Sequence, residues 1–279
     1  MHGRVLIDDM NWFQIGAFLR FYRAAVTKYQ LHSPFVFALA MALLEDRRWY
    51  YAFRDIEKIR QKMLASEAVL SVMDYGTGGN GGRQMRPVRE IAQKSSSSPA
   101  QGRLLFRLAQ FLQPKCLLEI GGSLGIGTLY LASAVRASKL WRLEGCEQTN
   151  QLAQLNAEVL GLERGIVWPV GPFDQTLEPT LREMPTLDFV FIDGNHQMAP
   201  TWQYFEQCLA YAHDQTIFVL DGVHNAAEMT QVWEKIKQHE RVRLTLDFFD
   251  LSLVLLDSNF KEKQHLCIVP ARWKPWRFW

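Results

Sequence analysis

From residue 116 onward the chain alternates short apolar runs with amphipathic segments, and no other feature of its 279 residues constrains the fold as much. The runs 116–120, 140–143, 166–170, 187–192 and 217–220 are mainly apolar, as strands covered on both faces are. The segments 128–136, 149–160, 175–183, 202–212 and 226–239 carry helical periodicity between them. Strand and helix in alternation predict βα units and a parallel sheet. Two further β-rich runs, RLTLDFF and LSLVLL, are separated only by Asp250. So short a connection cannot hold a crossover helix, so the two should pair antiparallel. The expectation is an α/β, Rossmann-like sheet of seven strands, mostly parallel with a terminal antiparallel pair.

Residues 10 to 66 read differently, as helices, with apolar positions at helical spacing from Trp12 to Phe21 and again from Phe35 to Leu44. LHSPF breaks them, because Pro34 has no amide to donate and disfavours helix at Ser33. Residues 74–87 are glycine-rich, and 94–102, KSSSSPAQG, form a polar connector ending in a helix start. Two regions follow: a mainly helical N-terminal cap with a glycine-rich loop over 1–94, and a ligand-binding α/β domain over 95–279. A hydrophobic content of 48% is enough for one full core.

The 31 basic and 29 acidic side chains nearly cancel, so no global field draws the chain to nucleic acid. The four cysteines, at 116, 146, 208 and 267, form no CxxC pair and read as free thiols of a reducing compartment. No apolar run approaches the roughly 18 residues of a membrane span, so a cytoplasmic location is expected. The tail RWKPWRFW, basic and aromatic, is expected to dock on its own domain.

The chemistry concentrates where the first apolar run ends. Glu119 and Ile120 lead into the turn GGSLGIG, and Thr128 opens an amphipathic helix, the arrangement that binds a nucleotide-like ligand. Glycine lets the backbone bend and approach the ligand with no Cβ in the way. A second acid is expected at the end of the next strand to accept ribose hydroxyls, and Glu144 stands there.

The stretch from Glu119 to Gly125 resembles the acid-x-Gly-x-x-x-Gly motif of class I methyltransferases, in the variant of the catechol O-methyltransferase-like group. The resemblance continues through LEG at 143–145, VGPFD at 170–174, FVFIDGNH at 189–196 and VLDGVH at 219–224, and covers roughly residues 95 to 269. It implies S-adenosylmethionine as cofactor and a small-molecule acceptor, with oxygen as the methylated atom. It places Glu119, Gly121, Gly122 and Ser123 at the methionine part, with Gly125 and Thr128 completing the turn. Glu144 and Gly145 fall to the ribose, and Gly171, Pro172, Phe173 and Asp174 to the adenine.

Two strand-end acids, Asp193 and Asp221, lie on the carboxyl edge where open α/β sheets bind ligands. Such a pair could hold a divalent cation, and in the resembled group these acids are metal ligands; the alternative is that Asp193 contacts the cofactor or substrate and Asp221 caps a turn. That group carries a third, oxygen-bearing ligand after the second acid; here the residue is Gly222, with Asn195, His196, His224 or Asn225 as substitutes. Where the group has a catalytic lysine, three residues after the first acid, this chain has His196. A neutral imidazole can accept a proton near pH 7, so His196 is the expected general base and His224 the alternative.

Three other readings are weighed. GGSLGIG also fits the turn of short-chain dehydrogenases that bind NAD(P), but no tyrosine after it has a lysine four residues on: Tyr130, Tyr204 and Tyr211 are followed by Ala134, Cys208 and Gln215. A protein that keeps the cofactor pocket without transferase activity is the nearer rival. DYGTGGNGG upstream is a decoy, since VLSVMDYG also looks like strand, acid and glycine turn; with no second strand and acid after it, the glycine-rich segment is expected to be a loop near the pocket mouth. The aromatic cluster Trp49, Tyr50, Tyr51 and Phe53 could cover the acceptor pocket or build a homodimer contact.

Overall fold

The computed structural model describes residues 12–73, 82–94 and 96–276. Its N-terminal layer contains α1 (Trp12–Ala24), α2 (Pro34–Ala40), which runs on as a π-turn over Met41–Glu45, and α3 (Tyr51–Leu64). The break at LHSPF is a helix start: the Ser33 hydroxyl accepts from the Val36 amide at 3.4 Å and Pro34 takes the first turn, where no amide is needed. A hairpin of β1 (Val69–Met73) and β2 (Arg83–Pro87) follows, then α4 (Val88–Lys94) and α5 (Pro99–Leu112). KSSSSPAQG ends in a capping box, Ser98 and Gln101 each bonding the other's backbone amide at 3.2 Å.

The α/β part comprises β3 (Cys116–Gly121), α6 (Ile126–Ala134), β4 (Lys139–Leu143), α7 (Glu147–Val159), β5 (Ile166–Val167), α8 (Phe173–Glu183) and β6 (Phe189–Asp193). It continues with α9 (Met198–Tyr211), β7 (Ile217–Asp221), α10 (Ala227–Gln238), β8 (Leu244–Asp247), β9 (Leu251–Leu255) and β10 (Gln264–Cys267). The sheet runs β10-β8-β9-β7-β6-β3-β4-β5. β3 to β7 are mutually parallel, and β9 lies antiparallel to both β7 and β8.

The predicted architecture therefore holds, with two local differences. The sheet has eight strands, because the short, half-polar segment QHLC adds to the edge, parallel to β8. β5 stops at Val167, since Trp168 is followed by Pro169, which has no amide for a ladder; only an isolated bridge between Glu144 and Val170 continues the pairing.

The cap is not a separate body. One hydrophobic cluster includes Val36, Phe53, Ile91 and Leu105 from the N-terminal layer together with Leu117, Phe191 and Leu253 from the sheet. Phe53 stacks edge-on to Phe106 at 5.0 Å and lies 5.9 Å from the Tyr130 ring on α6. Tyr50 joins this group, while Trp49 and Tyr51 stay exposed.

At the far edge the first and last described segments meet. Val26 accepts from the Val269 amide at 3.0 Å and donates to the Cys267 carbonyl at 2.8 Å. The described part of the tail docks as expected: Lys274 is buried and gives its Nζ to the Ala25 carbonyl, and Tyr22 donates to the Trp273 carbonyl at 2.6 Å. The cysteines are free, three of them buried. Among the described residues no helix is long and apolar enough to cross a membrane. Most of the glycine-rich loop, residues 74–81, lies outside the described residues.

Candidate active site

The order of the sheet decides where a ligand can sit. From β3 the chain goes outward to β4 and β5, then returns to the other side as β6 and β7, so a crevice opens at the carboxyl ends of β3 and β6. There Gly121 pairs with Asp193. Gly121 has φ +86°, and a Cβ on it would stand 2.8 Å from the Asp193 carbonyl oxygen, so both the turn and the closeness of the strands require glycine.

A cavity of about 870 Å³ occupies this crevice. Of the residues expected from sequence, Gly121, Gly122 and Ser123 line it from the turn, and Glu144 and Gly145 from the end of β4. Pro172, Phe173 and Asp174 line it from the start of α8, and Asp193, His196 and Asp221 from the ends of β6 and β7. The bridge between Glu144 and Val170, with the Gly171 amide donating to the Glu144 carbonyl at 2.9 Å, sets the second and third groups side by side.

Glu119, Gly125, Thr128, Gly171 and His224 are not on the cavity wall. Glu119 is fully buried behind the turn, where its Oε2 accepts from the Thr128 hydroxyl at 2.6 Å. Its Oε1 has no partner. Burial lifts this carboxyl to about 7, against the pull of the Arg142 guanidinium and the Thr128 hydroxyl. His224, the alternative base, is corrected by the geometry. Its Nε2 is bonded to Asp247 at 2.7 Å and its ring stacks on Phe249 at 4.9 Å, so it pins the loop after β7 to the antiparallel strands.

Arg142 escaped the sequence reading and organises the site. Fully buried, its Nε donates to Thr128 at 3.1 Å and its Nη1 to Asn150 at 2.6 Å. Its Nη2 donates to the Ser123 carbonyl and, at 3.2 Å, to Glu144. One guanidinium thus fixes the turn and the second acid together, with Glu119 4.0 Å away. The other oxygen of Glu144 accepts from the Cys146 amide at 3.1 Å. A charged residue in the middle of the apolar run KLWRLEG was the available signal.

The N-terminal layer also reaches the cavity, through Gln84 and Arg86 of the hairpin and through Ser96, Ser97 and Gln101 ahead of and within α5. Ser97 is buried, its hydroxyl has no partner, and its backbone carbonyl accepts from Arg60. Its Oγ and Glu119 Oε1 each lie 3.1 Å from the point where a Cβ on Gly127 would stand. Two unsatisfied polar atoms therefore converge beside the turn.

Where β6 and β7 end, Asp193, His196 and Asp221 converge, one donor atom from each lying within 4.8 Å of the others. His196 Nε2 is 3.9 Å from Asp221 Oδ2, and Gln101 donates to Asp221 Oδ1. Burial and the neighbouring carboxylate hold Asp193 well above the ordinary carboxyl range, and burial raises Asp221 as well. Gly222 follows with φ +66°, and a Cβ there would meet Asn225 Nδ2 at 2.5 Å. That amide occupies the place of a side chain at 222, its Oδ1 accepting from Gln14 of α1 at 3.2 Å.

Known proteins agree with this geometry. Residues 118–223 match a protein family described as a methyltransferase domain. Among curated proteins the chain is similar to the catechol O-methyltransferase of Niastella koreensis, at 32% identity over 46% of this chain and 58% of that protein. It is also similar to the catechol O-methyltransferase of Mycobacterium tuberculosis, at 32% identity over 45% of this chain and 56% of that one. The chain thus spans somewhat more than half the length of these curated relatives. Its fold matches that of an O-methyltransferase from Bacillus cereus solved in complex with SAH, with a TM-score of 0.54, 19% identity, and coverage of 75% of this chain and 92% of that one. The stretch 118–223 that matches this family lies in a mostly parallel sheet whose fold is that of the solved O-methyltransferase.

Proposed function

We propose that this protein is an S-adenosylmethionine-dependent O-methyltransferase acting on a small molecule. The observation that carries the reading is the junction of Gly121 and Asp193 at the switch point of the sheet, with Glu144 on the adjacent strand and one cavity touching all three. The residues fit the cofactor. The turn leaves backbone exposed where side chains would intrude, and Glu119 Oε1 and Ser97 Oγ are buried without partners beside it. The turn and Ser97 would take the amino-acid end, Glu144 the ribose, and Phe173 and Asp174 the adenine. Glu119 would act from behind, holding the turn through Thr128.

The bound cofactor supplies an electrophilic methyl group on a sulfonium. What this chain must add is alignment of the acceptor hydroxyl and removal of its proton. His196 is the base in this reading: its Nε2 takes the proton, and Asp221 Oδ2 at 3.9 Å stabilises the imidazolium that forms. Asp193, beside the turn, orients the cofactor end of the cavity.

A divalent cation fits less well. Asp193 and Asp221 are suitable donors, but Gly222 has no side-chain oxygen to give, and the Oδ1 of the Asn225 amide packed beside it is engaged by Gln14. His196 could complete the set only by giving up its role as base. No step is derived through a metal.

Calorimetry with S-adenosylhomocysteine, followed by transfer of labelled methyl to acceptor panels, tests the reading. His196→Ala should bind S-adenosylhomocysteine normally and lose about 10²–10⁴ in kcat. A chelator should leave turnover of the parent protein unchanged. Absence of cofactor binding would overturn the assignment.

A further inference from the structure

The segment RQMRPVREIAQK, residues 83–94, sets four basic side chains against one acid, Glu90. Its first half is β2, and the register of the hairpin decides which of these charges turn inward. Leu70 pairs with Arg86 and Val72 with Gln84. Residues opposite one another in a ladder, and residues two apart along a strand, share a face. Leu70, Val72, Gln84 and Arg86 therefore point the same way. Leu70 and Val72 pack partly against the main hydrophobic cluster, and Val72, Gln84 and Arg86 line the cavity. The opposite face is open, Val69 and Met85 both being exposed.

The hairpin is tied down beside the second acid. The Ser71 amide donates to Gln148 Oε1, and the Ser71 carbonyl accepts from Cys146 Sγ at 3.5 Å, two residues beyond Glu144. At its other end the chain runs through α4 to Ser96 and Ser97, on the cavity wall beside the turn. Arg86 is thus carried by a segment held at the ribose acid on one side and at the glycine turn on the other. What this layer sends toward Asp221 and the acceptor space is instead Gln101.

Among the described residues that line the cavity, the lasting cations are Arg86 and Lys94. Both donate to the same oxygen, Glu90 Oε1, at 3.4 and 3.1 Å. One carboxylate against two cations leaves a positive charge over. Lys94 has the shorter bond and is 64% exposed, so Glu90 and water serve it; Arg86 is 28% exposed. Of the Arg86 guanidinium, only Nη2 is engaged among the described residues, and by the longer bond. A guanidinium so placed matches a carboxylate, which it can hold by two parallel bonds. The cofactor brings one into the cavity on its amino-acid end, and stripping water from that charge is costly unless it is paired. The turn and Ser97, assigned to that end, are neutral.

Resting on the cofactor assignment above, we infer that Arg86 pairs with the carboxylate of S-adenosylmethionine. The helical layer then supplies the counter-charge for a ligand cradled by the α/β part, and Glu90 stays with Lys94.

Calorimetry on the full chain with two ligands tests this. One is S-adenosylhomocysteine; the other, 5′-deoxy-5′-(3-aminopropylthio)adenosine, keeps its amine and lacks only its carboxylate. The parent should bind S-adenosylhomocysteine about tenfold or more tightly than the decarboxylated compound. Arg86→Met should lose that preference and bind both within about threefold of the parent's affinity for the decarboxylated compound. Arg86→Lys, with the charge but not the fork, should keep part of the preference. Lys94→Met should keep it within about twofold. A parent that binds both ligands equally, an Arg86→Met protein that keeps the preference or weakens both ligands alike, or its loss in Lys94→Met overturns the inference and leaves the methyltransferase assignment standing. A parent that binds neither ligand overturns both.

Discussion

Glu119 is fully buried behind the turn and off the cavity wall. Its carboxyl is lifted to about 7 from an ordinary 4.5 by burial, so the folded chain holds this proton more tightly than the unfolded chain does. Stability contributed at this position therefore falls as pH rises from about 4.5 to about 7 and is level above that. Glu119→Gln has no proton to lose, so the variant should gain on the parent across that window, which urea unfolding between about pH 4 and 8 reads. A difference that does not change with pH would show that burial is not controlling this group. Arg142→Met asks the complementary question. It strips the buried Glu119 and the partly buried Glu144 of their shared cation, and should cost about 3–5 kcal/mol of stability as well as affinity for S-adenosylhomocysteine.

At the scale of elements, what was legible in the sequence tracks periodicity. β3, β4, β6 and β7 are legible because strands covered on both faces are mainly apolar, and Glu144, Asp193 and Asp221 stand at or just past their ends. β2, RQMRP, was not readable, because a hairpin lying outside the main sheet buries too little to need an apolar face. β10 was hidden for the same reason, being a half-polar edge. Ser97 and Asn195 sit in segments without periodicity, and their unpartnered atoms exist only once distant parts of the chain have come together. The contact between α5 and α6 yields a further expectation. A Cβ on Gly102 would fall 2.1 Å from the Tyr130 ring, which is fully buried and cannot swing aside. Gly102→Ala should lower stability by about 1–3 kcal/mol in chemical denaturation, and an unchanged midpoint would mean that the two helices slide freely.

At the scale of the molecule, the shared cluster that joins Val36 and Phe53 to Leu117 and Leu253 makes the helical layer part of the main core. Heating should therefore give one transition, with the aromatic near-ultraviolet signal and the helical far-ultraviolet signal lost together. Two separated transitions would instead show a cap with stability of its own.

The bonds between Val26 and the segment Cys267 to Val269 impose an order of events when the chain is made. Just over 240 residues separate the partners, which at about 5–20 residues per second corresponds to about 10–50 s of synthesis. For that interval α1 has emerged from the ribosome without the edge it will rest against, its Phe18 and Phe21 still lacking Phe249 and Trp273. α1 is thus made early and secured late, and a nascent chain halted before β10 would keep an unshielded aromatic stripe on that helix.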